Sequence, residues 1–593
     1  MQDNPVFLDT ECYPNYFLIV FRWLDGREEY FVRDEQNVLD VVKIINIFKN
    51  NLTVGFNSRF YDIPMIIYAL RESADNTNLK AMSNSLIPDK KLVKAGLVPS
   101  NFEVIKGNNI WCPYDYDHID IMKVATGQVG LKMYGARIGT KNLQDMPYEH
   151  TRVLTKEEKE EVRKYCVNDV IITKDLYFEL KESIDFRIEI GNKYNFDCRS
   201  FADAKVAESL LVSQLPPFGK ILNHFDFKYE PPEHIAFKSQ ELNDLLIWFM
   251  DFEFKGKRGD AFFADGSVKP VLVGGVPYQC GIGGLHSMEE SRTIIGGDDG
   301  YIIDVDVVSY YPSLILNNRY CPESVDTDAF MKVYNSVYEE RAEAKRLGDE
   351  FRSKTTKLML NIPFGKFGDE FSDLWSPSAL IHTTVTGQMS VLMLIENLVD
   401  NGFEVVSSNT DGITVKVKND KYKFFREIVD RWERICKFKT EEVKYRSLHN
   451  QSVNSYIAVK DNGGVKCKGL FNSSDLSRNP AIKICKDAVL EYILKGVPIE
   501  TTIFNCPLDP SNFLIVRTVR DGGYWKGEYL GKVVRWYWSL DGEPIRNPKG
   551  HKVSKTDHAY PIMNLDSEIK NLHYEKYIKT TISLLKDLGI DYE

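Results

Sequence analysis

Between a hydrophobic run, Tyr301–Val308, and two short β-rich runs, FEVVSS and GITVKVK, the sequence inserts two long helical segments at about 326–346 and 350–368, joined at Leu347-Gly348-Asp349. A glycine at that joint ends the first helix, so the pair reads as a finger-like helical hairpin set between β segments. A long apolar helix at about 379–400 follows and ends at Asn401-Gly402. The two β runs then read as a hairpin with Asn409-Thr410-Asp411 at its turn. A glycine-rich passage, VGGVPYQCGIGGLHS, precedes the Tyr301–Val308 strand.

The first part of the chain reads as a separate α/β domain. Short β-rich runs (VFLDTECYPNYFLIVFRWL, then EEYFV) lead into a helix near Val38–Phe48 and a strand at Leu52–Phe56. A charged helix is expected at Lys156–Lys181, opened by the capping-box pattern Thr155-Lys-Glu-Glu. Proline, glycine and aromatic residues at Pro216–Pro232 interrupt the periodicity, so a connection between two large parts falls within about 190–275. Beyond about 470, helices mix with an aromatic stretch, GYWKGEYLGKVVRWYWSLDGEP, and neither an internal repeat nor a low-complexity tract is evident.

Two-metal phosphoryl chemistry needs carboxylates from separate elements, one at a strand's end and another in a tight turn. Asp306 ends the strand in IIDVDVVSYYPSLI, and Asp411 sits in the turn of SSNTDGITV. Between them the helical hairpin carries Arg341 and Lys345 at i, i+4 on one helix and Lys354, Lys357 and Asn361 on the other. Antiparallel packing about Gly348 would turn these cations toward one another, which costs repulsion unless an anion such as a triphosphate lies there.

These residues carry a resemblance to the family B DNA polymerases, of the compact kind found in phages and mobile elements. Asp306-Val-Val-Ser309-Tyr310-Tyr311-Pro312-Ser313 resembles motif A, DxxSLYPS. Lys357-Leu-Met-Leu-Asn361-Ile-Pro-Phe364-Gly365 resembles motif B, KxxxNSxYG, and Asn409-Thr410-Asp411-Gly412 resembles motif C, DTDS or DTDG. Upstream, Asp9-Thr-Glu11, Asn57-Ser-Arg-Phe-Tyr61-Asp62 and Tyr165-Cys-Val-Asn-Asp169 resemble the three motifs of the proofreading exonuclease, DxE, NxxxYD and YxxxD. All six occur in the family's order.

The resemblance implies an α/β multidomain protein: an RNase H-like 3′–5′ exonuclease domain followed by a right-hand polymerase. Its parts would be exonuclease 1–190, connecting region 191–275, palm 276–320 and 369–470, fingers 321–368 and thumb 471–593. Asp306, Asp411 and the Val307 carbonyl would hold two Mg²⁺ ions at the polymerase site. Tyr311 would be the steric gate against ribonucleotides, Arg341, Lys345 and Lys357 would clamp the triphosphate, and Asn361 and Gly365 would lie under the nascent base pair. Tyr456 and Lys468 would contact the primer end. In the exonuclease, Asp9, Glu11, Asp62 and Asp169 would bind two metals, with Tyr165 orienting the attacking water and Asp120 standing outside the metal ligands.

Four positions depart from the family pattern. Asn409 replaces the first acid of motif C, which removes a charge and is expected to weaken Mg²⁺ binding, with Mn²⁺ as the alternative ion. Ile362 and Phe364 stand where serine and tyrosine are usual, and Asn454 stands at the lysine of the KxY motif. The linker motif YxGG is represented by Gly283-Gly284 alone. DxE begins at residue 9 and the intervals between motifs A, B and C are short. A large N-terminal domain and the two insertions of protein-primed members are therefore expected to be absent. Primer-template DNA and dNTPs are the implied partners, with a processivity factor or single-strand-binding protein as further candidates and no membrane. A protein-primed polymerase and a catalytically weakened DNA-binding scaffold stay open as alternatives.

Composition enters as a constraint on DNA binding. The 593 residues are 43% apolar and 27% charged with a net charge of −10, which opposes nonspecific adhesion to polyphosphate. The start MQDNPVFLDTECYP lacks the order of a signal peptide, so a cytoplasmic protein is expected, in the host's cytoplasm if viral. The ten cysteines are scattered without a CxxC pair and read as free thiols.

Overall fold

A computed structural model of the chain describes residues 4–71, 74–219, 223–262, 268, 270–472 and 475–592. It divides into two compact units, Met1–Ala202 with Ser473–Thr580, and Asp203–Asn472 with Thr581–Glu593.

The first unit is built on a five-stranded sheet in the order Glu28–Arg33, Tyr16–Arg22, Val6–Tyr13, Thr53–Gly55, His118–Asp120. The first three strands are antiparallel neighbours and the last two run parallel to Val6–Tyr13. Side chains alternate across the central strand. Val6, Leu8 and Cys12 join a core with Ile44, Ile47 and Phe48 of the helix Val41–Asn50. Phe7 and Tyr13 face the other way, onto Val162, Cys166 and Val170 of the helix Lys156–Glu179. That helix opens where the sequence predicts: Thr155 Oγ1 accepts from Glu158 N at 3.3 Å and Glu158 Oε2 accepts from Thr155 N at 2.9 Å.

The later segment of this unit contributes an aromatic hairpin, Ile515–Trp525 with Glu528–Trp538, extended by Ala559–Pro561. Arg535 is fully buried in it. Its guanidinium donates to the carbonyls of Thr140 (2.9 Å), Lys141 (3.2 Å), Ile562 (2.8 Å) and Met563 (2.8 Å). Most of the stretch from 471 onward therefore folds into the same unit as the N-terminal region.

The second unit carries a ten-stranded sheet whose centre is Gly300–Val307, flanked by Gly412–Lys418 and Thr440–Ser452. The helix Pro377–Asp400, capped by Ser376 Oγ accepting from Ala379 N at 3.1 Å, is buried along most of its length in the core beneath the sheet. By length and composition alone it could cross a membrane, and it is the one such helix among the described residues. The helical hairpin comprises Thr327–Leu347 and Glu350–Phe367, with Gly348 at φ 70° and Asp349 Oδ1 accepting from Arg352 N at 3.0 Å to restart the helix. From 203 onward the connecting region belongs to this unit, as the helices Asp203–Val212 and Gln240–Asp251 and the hairpin His224–Lys228 with Glu253–Lys257. Residues 220–222 of the Pro216–Pro232 passage lie outside the described residues. All ten cysteines are free.

Candidate functional site

Acidic residues converge in each unit. In the first, Asp9 and Glu11 are two apart on Val6–Tyr13 and share the face covered by the helix Lys156–Glu179. That helix supplies Tyr165 and, one turn on, Asp169, both buried. Asp62, at the start of the helix Asp62–Ala69, accepts from Thr10 N at 3.0 Å and Thr10 Oγ1 at 2.6 Å, so the backbone between Asp9 and Glu11 holds the third carboxylate.

Burial raises the Asp9 carboxyl to about 7, with Glu11 adding to it, and raises Glu11 to about 8 against the opposing pull of Lys132. Burial and the neighbouring Asp9 push Asp62 up as well. Lys132, on the helix Leu131–Ile138, forms an ion pair with Asp169 and lies 4.2 Å from the centroid of the Tyr165 ring. Its own ammonium is driven down to about 8 by burial, against the pull of Asp9 and Glu11. No local pattern marks this lysine, which reads in the sequence as an ordinary position of a short amphipathic helix. Cys166 is a second residue missed: its thiol donates to Asp9 Oδ2 at 3.4 Å. Asp120, whose charge also raises Asp62, is engaged by the backbone N–H groups of Asn57, Arg59 and Met122 at 2.9–3.0 Å.

In the second unit, Asp306 lies opposite Gly412 in the sheet register, and Val307 N donates to the carbonyl of Asp411 at 2.9 Å. Thr410 takes φ 64° to make the turn. Two glycines are forced here: a Cβ at Gly412 would collide with Asp306 Oδ1, and one at Gly284 would lie 2.8 Å from the Thr410 side chain. Burial, then Asp304 and Asp411, push Asp306 up to about 6, and burial raises Asp411. Asp304, on the same face as Asp306, is satisfied by Tyr445 OH (2.9 Å), Lys466 Nζ (3.0 Å) and Thr414 Oγ1 (3.1 Å). Burial lowers Lys468, and the like charge of Lys466 lowers it further.

A cleft of about 640 Å³ opens beside Asp411, walled by Ser309, Tyr311, Arg341, Asn361, Phe364 and Gly365 among others. Ser309 adopts φ 53° where the strand turns into the helix Tyr310–Asn318. Tyr311 stacks on Phe364 with ring centroids 3.7 Å apart and planes 8° from parallel, and its hydroxyl donates to the Gly283 carbonyl. Arg341 Nη1 reaches Ser309 Oγ at 3.4 Å, while Arg341 Nε is buried without a hydrogen-bond partner. Lys345 and Lys357 are exposed on the hairpin and do not line the cleft, whereas Lys366 and Asp369, paired at 2.6 Å and unforeseen, do. Tyr456 and Lys468 pair between the strand Ser455–Lys460 and the edge strand Val465–Lys468.

No protein-family model matches the chain. No curated protein matches it. Among solved structures it is similar to the family B DNA polymerase of the hyperthermophilic archaeon Pyrobaculum calidifontis, at 14% identity and a TM-score of 0.42, over 100% of this chain and 78% of that one.

Proposed function

We propose that the chain is a template-directed DNA polymerase with a 3′–5′ exonuclease, the second unit extending a primer with dNTPs and the first removing mispaired termini. The observation that carries the reading is the register of Asp306 against Gly412. It sets the Asp306 carboxylate beside the turn that holds Asp411, at the edge of a cleft bearing Tyr311, Arg341 and Asn361.

Both acidic sites fit divalent cations. Asp306 and Asp411 are partly buried like charges whose carboxyls are pushed up together, and Asp9, Glu11 and Asp62 are the same case in deeper burial. Such groups stay ionised at neutral pH when a cation compensates them. Asp306, Asp411 and the Val307 carbonyl would hold Mg²⁺ in one site, and Asp9, Glu11, Asp62 and Asp169 in the other. When bound, the metal pair lowers the pKa of the attacking oxygen and neutralises charge on the reacting phosphate.

The chain's own residues do the rest. Arg341 lines the cleft with its Nε unpartnered, and a triphosphate oxygen bound there would give its guanidinium an acceptor. Tyr311, held by Phe364 and the Gly283 carbonyl, fills the space that a 2′-hydroxyl would need. In the first unit Tyr165 stands one helical turn from Asp169, placed to orient a water, and Lys132 offsets part of the negative charge.

A primer-extension assay on a defined template, with and without dNTPs, reads both activities. Asp411→Ala is expected to abolish extension and leave shortening of single strands, and Asp9→Ala with Glu11→Ala to do the reverse. Extension by the Asp411→Ala protein, or shortening by the double variant, would overturn the corresponding half of the reading.

A further inference from the structure

Cys166 follows Tyr165 on the helix Lys156–Glu179 and is fully buried. Its Sγ and one carboxylate oxygen from each of Asp9 and Glu11 lie within 4.8 Å of one another. The thiol donates to Asp9 at 3.4 Å. Glu11, 7% exposed, makes no side-chain hydrogen bond among the described residues, and one of its carboxylate oxygens belongs to the same group. Oxygen ligands alone suit Mg²⁺, a hard cation. A sulfur in the set suits a softer one.

We propose that Asp9, Glu11 and Cys166 form a mixed oxygen–thiolate site for a thiophilic divalent cation of the Zn²⁺ class. Tetrahedral coordination with Zn–S near 2.3 Å and Zn–O of 2.0–2.2 Å brings ligand atoms to roughly 3.5 Å of one another. Closing from 4.8 Å asks for side-chain rotations of about an ångström, with Asp9 and Glu11 fixed on one strand and Cys166 on the facing helix. As the metal–sulfur bond forms, the S–H bond breaks heterolytically and its proton goes to solvent, with no change of oxidation state. The fourth position is left to water.

The ligand set stands whether or not this site hydrolyses DNA. A consequence does rest on the proposed function: by taking Asp9 and Glu11, such a cation displaces the Mg²⁺ pair and silences hydrolysis. The cleft of the second unit is lined by no cysteine, so extension would be spared.

The test is titration of the full chain with Cd²⁺, a spectroscopic stand-in, reading the ultraviolet thiolate-to-cadmium charge-transfer band with and without excess Mg²⁺. Nine other cysteines contribute background, so the measurement is the difference between wild type and Cys166→Ser. The serine variant is expected to lose one thiolate equivalent of the tightest phase. Glu11→Gln, which keeps the thiol, is expected to weaken that phase about tenfold or more. A Cys166→Ser protein with undiminished band and affinity overturns the proposal. So does an unchanged affinity in Glu11→Gln, since the sulfur would then bind without the carboxylates.

Discussion

Asn409 Nδ2 donates to Asn454 Oδ1 at 3.1 Å and to the carbonyl of Val453 at 3.2 Å. Both asparagines stand where the sequence departs from the pattern it resembles, an acid at 409 and a lysine at 454. The two departures therefore meet in space, and a neutral amide pair replaces the ion pair that those residue types would make. The amide pair ties the turn of Asn409-Thr410-Asp411 to the turn before Ser455–Lys460. It positions Asp411 without adding a fourth negative charge to a site where Asp304, Asp306 and Asp411 already contribute three.

The pair is expected to behave as a unit. In a double-mutant cycle on thermal unfolding, Asn409→Asp and Asn454→Lys should each destabilise, and the double variant should recover about 0.5–3 kcal/mol of coupling. Asn409→Asp alone adds a carboxylate next to Asp411 and should lower the Mg²⁺ concentration that primer extension requires. Strictly additive effects on stability would remove the positioning role.

Tyr311 and Phe364 form a stacked wall at the cleft beside Asp411. Truncation to Tyr311→Ala opens the space that a 2′-hydroxyl needs, so the ratio of ribonucleotide to deoxynucleotide incorporation should rise by about tenfold or more, the size of discrimination that one excluded group supplies. Phe364→Ala removes the ring that backs Tyr311 and should raise the ratio less. Single-nucleotide insertion kinetics measure both, and an unaltered ratio in Tyr311→Ala would refute the gate.

What was legible in the sequence followed from periodicity and local stop signals. The helices Thr327–Leu347, Glu350–Phe367 and Pro377–Asp400 fall within two residues of the expected 326–346, 350–368 and 379–400 because Gly348, Asp349 and Asn401-Gly402 mark their ends. Asp9 with Glu11, and Asp306 with Asp411, were legible because strand alternation and a tight turn fix side-chain direction locally. Lys132, Cys166 and the Asp304–Lys466 pair were not, since each acquires its role from an element far away in the chain. The exposure of Lys345 and Lys357 was hidden for a related reason: helical spacing gives neighbours on one helix, while the face turned to the cleft depends on how two helices pack.

The raised carboxyls of Asp9 and Glu11 make stability depend on pH. Their folded-state values near 7 and 8 exceed the unfolded carboxylate range, so between about pH 4 and pH 8 the folded chain binds more protons than the unfolded one. The metal-free protein should therefore lose stability as pH rises through that window, and Mg²⁺ should restore more at pH 8 than at pH 5. Thermal melts in chelator and in Mg²⁺, repeated on Asp9→Asn with Glu11→Gln, check this. The double variant should flatten the slope, and a slope unchanged by it would place the titration elsewhere.

Arg535 carries the most concentrated polar contact in the first unit, four donated hydrogen bonds to main-chain carbonyls from a side chain with no exposed surface. Burial lowers its pKa to about 10, so the guanidinium stays charged at neutral pH and the carbonyl dipoles are its compensation. Arg535→Met keeps most of the volume but strands the carbonyls of Thr140, Lys141, Ile562 and Met563, at about 1–3 kcal/mol for each that water cannot reach. Arg535→Lys supplies one ammonium where a planar fork met four acceptors, and should recover only part of the loss. Chemical denaturation should show a drop of at least about 3 kcal/mol for Arg535→Met, with hydrogen exchange accelerated at both 140–143 and 562–565. Backbone amides at these two segments lock together, Leu143 N to Met563 O at 2.8 Å and Leu565 N to Lys141 O at 2.9 Å, so faster exchange confined to one of them would mean that Arg535 does not join the pair.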